Sequence, residues 1–291
     1  MCNICPRACM SDRENGKIGF CRAPSDFLVA KIMLHKWEEP CIAGERGAGT
    51  IFFSGCNLRC VFCQNCEISR GDKGEIMIEA QLEKEIFALA ESGAACIEFV
   101  TPTHYTDKIA ELLSRIKPRL TLPVVWNSGG YESVESLKKL EGLVDVYLPD
   151  FKYFDGEIAK KYSAAPDYLS VATAALREML RQTGKPQFDE RNMMKKGTIV
   201  RHLVLPGHRN DSIEVLEHLE KSFGSDAFLL SLMSQYTPDF YAASGCTEHK
   251  NLTRRLTKFE YDSVMKVADT LGFEGYFQGI DSASKKYTPD F

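Results

Sequence analysis

The sequence lacks the features that would place a protein in a membrane or on nucleic acid. Its 291 residues contain no run of about 18 apolar residues, which a membrane-spanning helix requires. The formal net charge is only -4, with acidic and basic residues intermixed, so no field of one sign is expected to attract nucleic acid or an anionic membrane. The first residues lack the basic and apolar segments of a signal peptide. These absences predict a cytoplasmic protein without a membrane or nucleic-acid partner.

Cysteine, in contrast, is abundant, with 11 in the chain. Disulfides are rare in the cytosol, so a metal or redox role is favoured for the clustered cysteines. Cys96 and Cys246 stand alone in the sequence, and isolated cysteines are most often small buried side chains.

Three cysteines share one short segment, SGCNLRCVFCQN, which follows the apolar run 50–53. Cys56, Cys60 and Cys63 have the spacing C-x3-C-x2-C, and three thiolates hold three irons of a cubane [4Fe–4S] cluster. The fourth iron is then open to a substrate or cofactor. Two alternatives remain: a zinc site, or an electron-carrying cluster loop that takes Cys66 as a fourth ligand.

Apolar runs alternate with amphipathic segments from residue 50 onward. The predicted strands are 51–54, 96–100, 124–126, 144–148, 199–205 and 228–232, with a seventh near 274–277. The predicted helical segments are 80–91, 105–117, 133–140, 155–182, 213–223 and 261–271. This alternation is typical of parallel β-α units, and six of them favour an open, partial (β/α)6 barrel of the TIM type over the eight of a complete barrel. A doubly wound sheet is the alternative.

The composition changes near residue 45 and suggests a division of the chain. We expect residues 1–45 to form a small cysteine-rich, metal-stapled module, residues 46–280 the partial barrel, and residues 281–291 a C-terminal tail. The module holds Cys2, Cys5, Cys9 and Cys21. Four cysteines complete the ligand set of either zinc or an auxiliary [4Fe–4S] cluster, and their spacing does not choose between the two.

The cluster segment, with Phe62 in the form C-x3-C-x-aromatic-C, resembles the signature of the radical S-adenosylmethionine (SAM) enzymes. The longer order of motifs, FFSGCNLRC followed by DVYLPDFK and VRHLVLPG, resembles the pyruvate formate-lyase activating enzymes within that superfamily. The resemblance implies that Cys56, Cys60 and Cys63 are the catalytic cluster ligands. It also implies that SAM binds the open iron through its amine and carboxylate.

The same resemblance implies reductive cleavage of SAM to a 5′-deoxyadenosyl radical, which abstracts hydrogen from a substrate. The substrate would be a glycyl-radical enzyme, and the electron donor a flavodoxin or ferredoxin. A radical SAM enzyme that modifies a peptide or a small molecule is one alternative. A two-cluster electron-transfer protein is another, from a different functional class.

One departure from that pattern concerns the SAM amine. The Gly-Gly-Glu run that usually holds it is replaced here by VTPTH at 100–104. The hydroxyls of Thr101 and Thr103 are still able to accept a hydrogen bond from an ammonium group, so both are candidate SAM contacts.

The remaining candidate SAM contacts follow later strands. Asn127, Ser128 and Gly129 lie after the third strand, where glycine allows close backbone approach; a simple tight turn is the alternative. Asp150 and Lys152 alternate along the chain and so point to one face; a structural ion pair is the alternative. The resemblance makes Lys152 a partner of the SAM carboxylate and Arg201 a partner of the SAM carboxylate or ribose.

Overall fold

The computed structural model describes residues 1–279, Pro289 and Phe291. The strands are β1 Phe27–His35, β2 Ala48–Phe53, β3 Glu75–Met77, β4 Ile97–Val100, β5 Val124–Ser128, β6 Val146–Pro149, β7 Gln187–Phe188, β8 Met194–Leu203, β9 Leu229–Met233 and β10 Gly275–Phe277. The α-helices are α1 Pro40–Ala43, α2 Cys66–Ser69, α3 Glu79–Glu91, α4 Thr106–Ile116, α5 Val134–Lys138, α6 Gly156–Ser163, α7 Tyr168–Thr183, α8 Arg209–Phe223, α9 Pro238–Ala243 and α10 Lys258–Thr270. The rest of the predicted tail at 281–291 lies outside the described residues.

The strands form one sheet, in which the parallel strands from β2 to β10 follow one another in chain order. From one edge the order is β10, β9, β8, β6, β5, β4, β2, β1 and β3, and all pairs from β2 to β10 are parallel. A doubly wound sheet reverses its order at a switch point, and no reversal occurs here. Because β-α-β crossovers are right-handed, an unreversed order puts the helices on one face. The predicted partial barrel is therefore confirmed, with a sheet that does not close on itself among the described residues.

The two faces of the sheet are separated by the alternation of side chains along each strand. On β5, Val124 and Trp126 pack on the helix side with residues of α4 such as Leu113. Val125 points the other way, into an apolar cluster with Ile42 of α1. That cluster closes the floor of the barrel, and it leaves the carboxyl ends of the strands to form the upper wall.

The N-terminal region contributes more to the sheet than its sequence indicates. Residues 27–35 were expected to belong to an irregular module, but they form β1, which pairs antiparallel with β2 from His35↔Ala48 to Val29↔Phe53. Most of the strand is only half-buried, so its residues lack the alternation that predicts a strand with one buried face.

The helical stretch predicted at 155–182 is two helices. The helix α6 ends at Ala164 in a left-handed conformation, with φ of 51°, and Pro166 follows before α7 begins. Along the part of the chain that the structure describes, none of the helices has the length and apolar character needed to cross a bilayer.

Candidate active site

A cavity of about 330 Å³ lies at the carboxyl ends of the parallel strands. Its wall includes all three cysteines of the segment after β2, Cys56, Cys60 and Cys63. The other predicted site residues that line it are Phe62, Thr101, Asn127, Ser128, Gly129, Asp150, Lys152 and Arg201. This is the face on which barrels of this kind carry their chemistry.

The cysteine loop is held from several sides. The Ser163 hydroxyl donates to the Cys60 sulfur at 2.9 Å, and the Leu58 N–H donates to the Cys56 sulfur at 3.3 Å. The Asn57 side chain donates to the Tyr131 carbonyl oxygen at 2.5 Å. The thiols are thus fixed by the segments around them, as ligands of a large inorganic group need to be.

Burial disfavours the ionisation of these thiols when no cation lies beside them. Burial, and then the neighbouring Cys60 and Cys63, raise the pKa of Cys56 well above its ordinary value. Burial and Cys60 raise the pKa of Cys63 to about 12. A positively charged metal group would stabilise their thiolates.

Three thiols that line one cavity are donors of the kind that a [4Fe–4S] cluster uses. Across residues 1–279, no three His, Cys, Asp or Glu side chains are grouped as a site for one metal ion. A cubane does not require that grouping, because each of its irons takes a thiolate of its own.

Phe62 forms an apolar wall beside the cysteines. It is 7% exposed, and its ring packs edge-on against Tyr162 and Tyr236, with centroid distances of 6.4 and 6.3 Å. The ring of Phe52, which also lines the cavity, packs against the ring of Phe291 with a centroid distance of 5.3 Å.

Asp150 and Lys152 form an ion pair in the cavity wall, and both side chains are mostly buried. Burial opposes the charge of Lys152, but Asp150 and then Cys60 raise the pKa of its ammonium group. The Tyr168 hydroxyl lies 2.9 Å from the carbonyl oxygens of both Gly129 and Asp150, and it accepts from the Lys152 N–H at 3.0 Å. Tyr168 therefore ties the ends of β5 and β6 together behind the cation.

The end of β4 separates the two threonines of the predicted pair. Thr101 lines the cavity and has a φ of 56°, which is uncommon for a β-branched residue. Thr103 is buried away from the cavity, where its hydroxyl donates to Glu132 at 2.8 Å. The structure thus brings Thr101 to the site and leaves Thr103 outside it.

Arg201 is paired with two carboxylates that the sequence analysis did not single out. Its guanidinium forms ion pairs with Glu38 and Glu39, and the Glu39 contact through Nε is 2.8 Å. Both carboxylates also line the cavity. Burial disfavours the charges of Arg201 and Glu39, but their attraction raises the pKa of the arginine and lowers the pKa of Glu39.

Glu98 on β4 adds a third buried carboxylate. It accepts from Thr50 at 2.7 Å and from Asn127 at 2.8 Å. Burial and then the charge of Glu38 raise its pKa from 4.5 to about 8. The sequence does contain a signal for Glu98, because a charged residue is unusual within the apolar run of a buried parallel strand. Glu38 and Glu39 gave no such signal, because they precede α1 in an irregular segment.

The family model for the radical SAM superfamily matches residues 50–220. The chain belongs to the radical SAM superfamily. An uncharacterized protein of Methanocaldococcus jannaschii is 31% identical over an alignment of 280 residues, which covers 92% of this chain and 74% of that protein. Membership of the superfamily implies a [4Fe–4S] cluster and SAM as cofactors.

Solved structures of other radical SAM proteins are similar in fold. Methylornithine synthase matches with a TM-score of 0.51 and 16% identity, over 78% of this chain and 66% of that one. The Streptococcus suis protein SuiB, bound to the precursor peptide SuiA, matches with a TM-score of 0.52 and 12% identity, over 78% of this chain and 48% of that one. A domain of pyruvate-formate lyase-activating enzyme from Bacteroides vulgatus matches with a TM-score of 0.45 and 9% identity, over 64% of this chain and all of that domain.

Among the four N-terminal cysteines of this radical SAM protein, Cys5 and Cys21 are buried and Cys2 is half-buried. Burial is the largest cause that raises the pKa of Cys5, to about 12. Cys9 is exposed, so the group lies at the protein surface.

Proposed function

We propose that Cys56, Cys60 and Cys63 hold the [4Fe–4S] cluster of this radical SAM enzyme and leave its fourth iron free for SAM. The observation that carries the proposal is that all three thiols line one cavity at the carboxyl ends of the strands. Cys66, the fourth ligand of the electron-carrier alternative, does not line this cavity. Its position supports three ligands over four.

The cluster, when bound, supplies one electron that breaks a carbon–sulfur bond of SAM and yields methionine and a 5′-deoxyadenosyl radical for hydrogen abstraction. The residues of the chain bind and orient SAM. We assign Lys152 to the SAM carboxylate, with Asp150 fixing the ammonium group. The Thr101 hydroxyl and nearby carbonyl oxygens accept from the SAM amine, in place of the missing Gly-Gly-Glu run.

The last two residues of β5 and the glycine that follows them complete the SAM pocket in this proposal. Asn127 and Ser128 supply polar atoms, and Gly129 brings the backbone close to the ligand. A Cβ atom at position 129 would lie 2.8 Å from Leu58, so the cysteine loop already approaches this glycine closely. Phe62 covers the apolar side. Arg201 is occupied by Glu38 and Glu39, and we assign it to the substrate end of the cavity.

The proposed substrate is a glycyl-radical enzyme, as the resemblance to the activating enzymes implies. The test is to mix the reduced protein, SAM and a candidate glycyl-radical enzyme without oxygen and to record the electron paramagnetic resonance spectrum. A doublet from a backbone glycyl radical supports activation. No such signal despite SAM cleavage contradicts it.

A peptide or small-molecule substrate is the second candidate, and the buried carboxylates favour it. Glu38 and Glu39 line the cavity and offer hydrogen-bond acceptors there, where a compact polar substrate is able to bind. Methylornithine synthase and SuiB, which are similar in fold, carry a small-molecule product and a precursor peptide in their names.

We further propose that residues 1–45 act as a metal-stapled module, with Cys2, Cys5, Cys9 and Cys21 holding zinc or a second cluster. Metal and sulfide analysis of the reconstituted protein distinguishes the two occupants. About four irons per chain together with zinc indicates a zinc staple, and about eight irons indicates two clusters. The variant Cys5→Ala is expected to lose only the N-terminal metal.

The central experiment is anaerobic reconstitution with iron and sulfide, followed by reduction with dithionite in the presence of SAM. Release of 5′-deoxyadenosine is expected from the natural protein and from Cys66→Ala. The variant Cys60→Ala is expected to lose both the release and the SAM-reactive cluster. An intact cluster that releases no 5′-deoxyadenosine would overturn the proposed function, as would equal activity of Cys60→Ala.

A further inference from the structure

A second cavity, of about 500 Å³, opens beside the cysteine loop on the outer surface. It is lined by Cys60 and by three arginines, Arg22, Arg59 and Arg70. Cys60 also lines the active-site cavity, as do Leu58 and Ser69, so these residues form part of the wall between the two cavities. An electron that enters from the outer cavity therefore reaches Cys60, a proposed cluster ligand, without passing through the SAM pocket.

Two of the three arginines of the outer cavity carry a positive charge that no carboxylate among the described residues neutralises. Arg59 and Arg70 are both exposed. Their side chains donate to carbonyl oxygens, of Phe20 and Ser244 respectively, each at 3.2 Å. Among the described residues, neither forms an ion pair with a carboxylate. Arg22 is paired with Asp72 at 3.1 Å. The chain as a whole has a net charge of -4, so the positive charge of these arginines is a local feature of this surface.

The ring of Phe20 holds part of this surface in place. The guanidinium carbon of Arg7 lies 4.0 Å from the ring centroid, and that of Arg59 lies 4.2 Å from it. Arg7 also donates to the Asn57 carbonyl oxygen at 2.8 Å. Arg59 is therefore ordered before any partner binds, which lowers the entropy cost of using it in an interface.

We propose that the surface formed by Arg22, Arg59, Arg70 and Phe20 docks an acidic one-electron carrier protein that reduces the cluster through the Cys60 side. The inference rests on the proposed function, because it assumes a cluster at Cys60. In the transfer, the carrier loses one electron and the cluster gains it, and no covalent bond forms or breaks. Opposite charges on the two proteins steer their encounter, so the rate depends on ionic strength.

The test uses the reconstituted protein and a photoreduced flavodoxin of acidic surface, with cluster reduction followed by stopped-flow absorbance. The double variant Arg59→Gln/Arg70→Gln is expected to slow this reduction at least tenfold at low salt and to flatten its salt dependence. Reduction by dithionite is expected to stay unchanged. The matched control is Arg177→Gln/Arg191→Gln. Both of these arginines are exposed, line neither cavity and form no ion pair with another described residue. Like Arg59, Arg177 stacks on an aromatic ring, in its case that of Phe223.

A second variant and a binding measurement separate docking from damage to the cysteine loop. Arg70→Glu lies outside the loop and is expected to slow the flavodoxin reaction and to weaken the binding of oxidised flavodoxin in calorimetry. The proposal is overturned if the variants keep the natural rate, if the control is slowed equally, or if dithionite reduction slows in parallel. Release of 5′-deoxyadenosine with dithionite reports on the proposed function separately, because it needs no carrier protein.

Discussion

The backbone N–H of Cys56 donates to the carbonyl oxygen of Cys21 across 3.2 Å. One residue from each cysteine group therefore takes part in a single hydrogen bond. The residue before Cys56 makes this contact possible, because Gly55 has a φ of 85°, and a Cβ atom there would lie 2.5 Å from the same Cys21 oxygen. The N-terminal segment that carries Cys21 is consequently packed directly on the loop that we propose to hold the catalytic cluster.

The first prediction concerns Gly55→Ala. We expect this change to lower the iron bound by the cysteine loop to less than half, because the added methyl group collides with the Cys21 backbone and displaces Cys56. Iron and sulfide per chain, measured after anaerobic reconstitution, check this. Gly142→Ala is the control, since Gly142 has a φ of 75° with no atom within 4 Å of an added Cβ. It should cost only the strain of a left-handed residue, about 1 kcal/mol, and keep its iron. Equal iron in both variants would contradict the prediction.

Most of the fold could be predicted from the sequence, because it depends on local alternation. The helix predicted at 80–91 is α3, Glu79–Glu91, and the strand predicted at 96–100 is β4, Ile97–Val100. What failed was β1, whose half-buried faces give no clear period. The order of the strands also could not come from periodicity, since it depends on pairings between distant segments.

The site was predictable where its residues follow strands directly, as Cys56 and Lys152 do. The two threonines at the end of β4 illustrate the limit, because residues two positions apart after a strand share a face only if the strand continues. Here it ends, and a positive φ at Thr101 turns the chain. Thr103 then meets Glu132. The pairing of Arg201 with Glu38 spans 163 positions in the chain, and no local pattern encodes it.

The second prediction concerns the binding of SAM. Lys152→Ala is expected to raise the Kd for SAM about tenfold or more, since a hydrogen bond to a charged group contributes about 1.5–3 kcal/mol. Equilibrium dialysis with the reconstituted protein measures this. Lys185→Ala is the control, because Lys185 forms an exposed ion pair with Asp226. Unchanged affinity in Lys152→Ala, with normal iron content, would show that Lys152 has only a structural role.

The third prediction concerns the dependence of stability on pH. The folded-state pKa of Glu98 is raised from 4.5 to about 8, so between these values the folded protein holds a proton that the unfolded chain has lost. The contribution of Glu98 to the free energy of unfolding therefore falls as pH rises from about 5 to 8. Glu98→Gln cannot ionise and should escape this loss.

Thermal unfolding of the reconstituted protein at pH 5, 6.5 and 8 tests the effect of Glu98. The midpoint of Glu98→Gln relative to the natural protein should increase steadily over this range and level off above pH 8. Thr50 and Asn127 both remain able to bond the amide, because the Thr50 hydroxyl can turn to accept. Glu135→Gln, at an 80% exposed side chain, should show no such trend. A constant difference between Glu98→Gln and the natural protein would refute the assignment.

The last prediction concerns the charge balance inside the cavity. Arg201→Met leaves the carboxylates of Glu38 and Glu39 buried without their cation, and removing one partner of a buried ion pair typically costs about 3–5 kcal/mol. The free energy of unfolding in guanidinium, measured on the reconstituted protein without oxygen, should fall by that order. Arg119→Met is the control, since the 59% exposed Arg119 is paired with Glu83 at the surface and should cost less than about 1 kcal/mol. The triple variant Arg201→Met/Glu38→Gln/Glu39→Gln should recover most of the loss, because it leaves no uncompensated charge. A triple variant as unstable as Arg201→Met alone would assign the loss to the packing of the guanidinium and not to its charge.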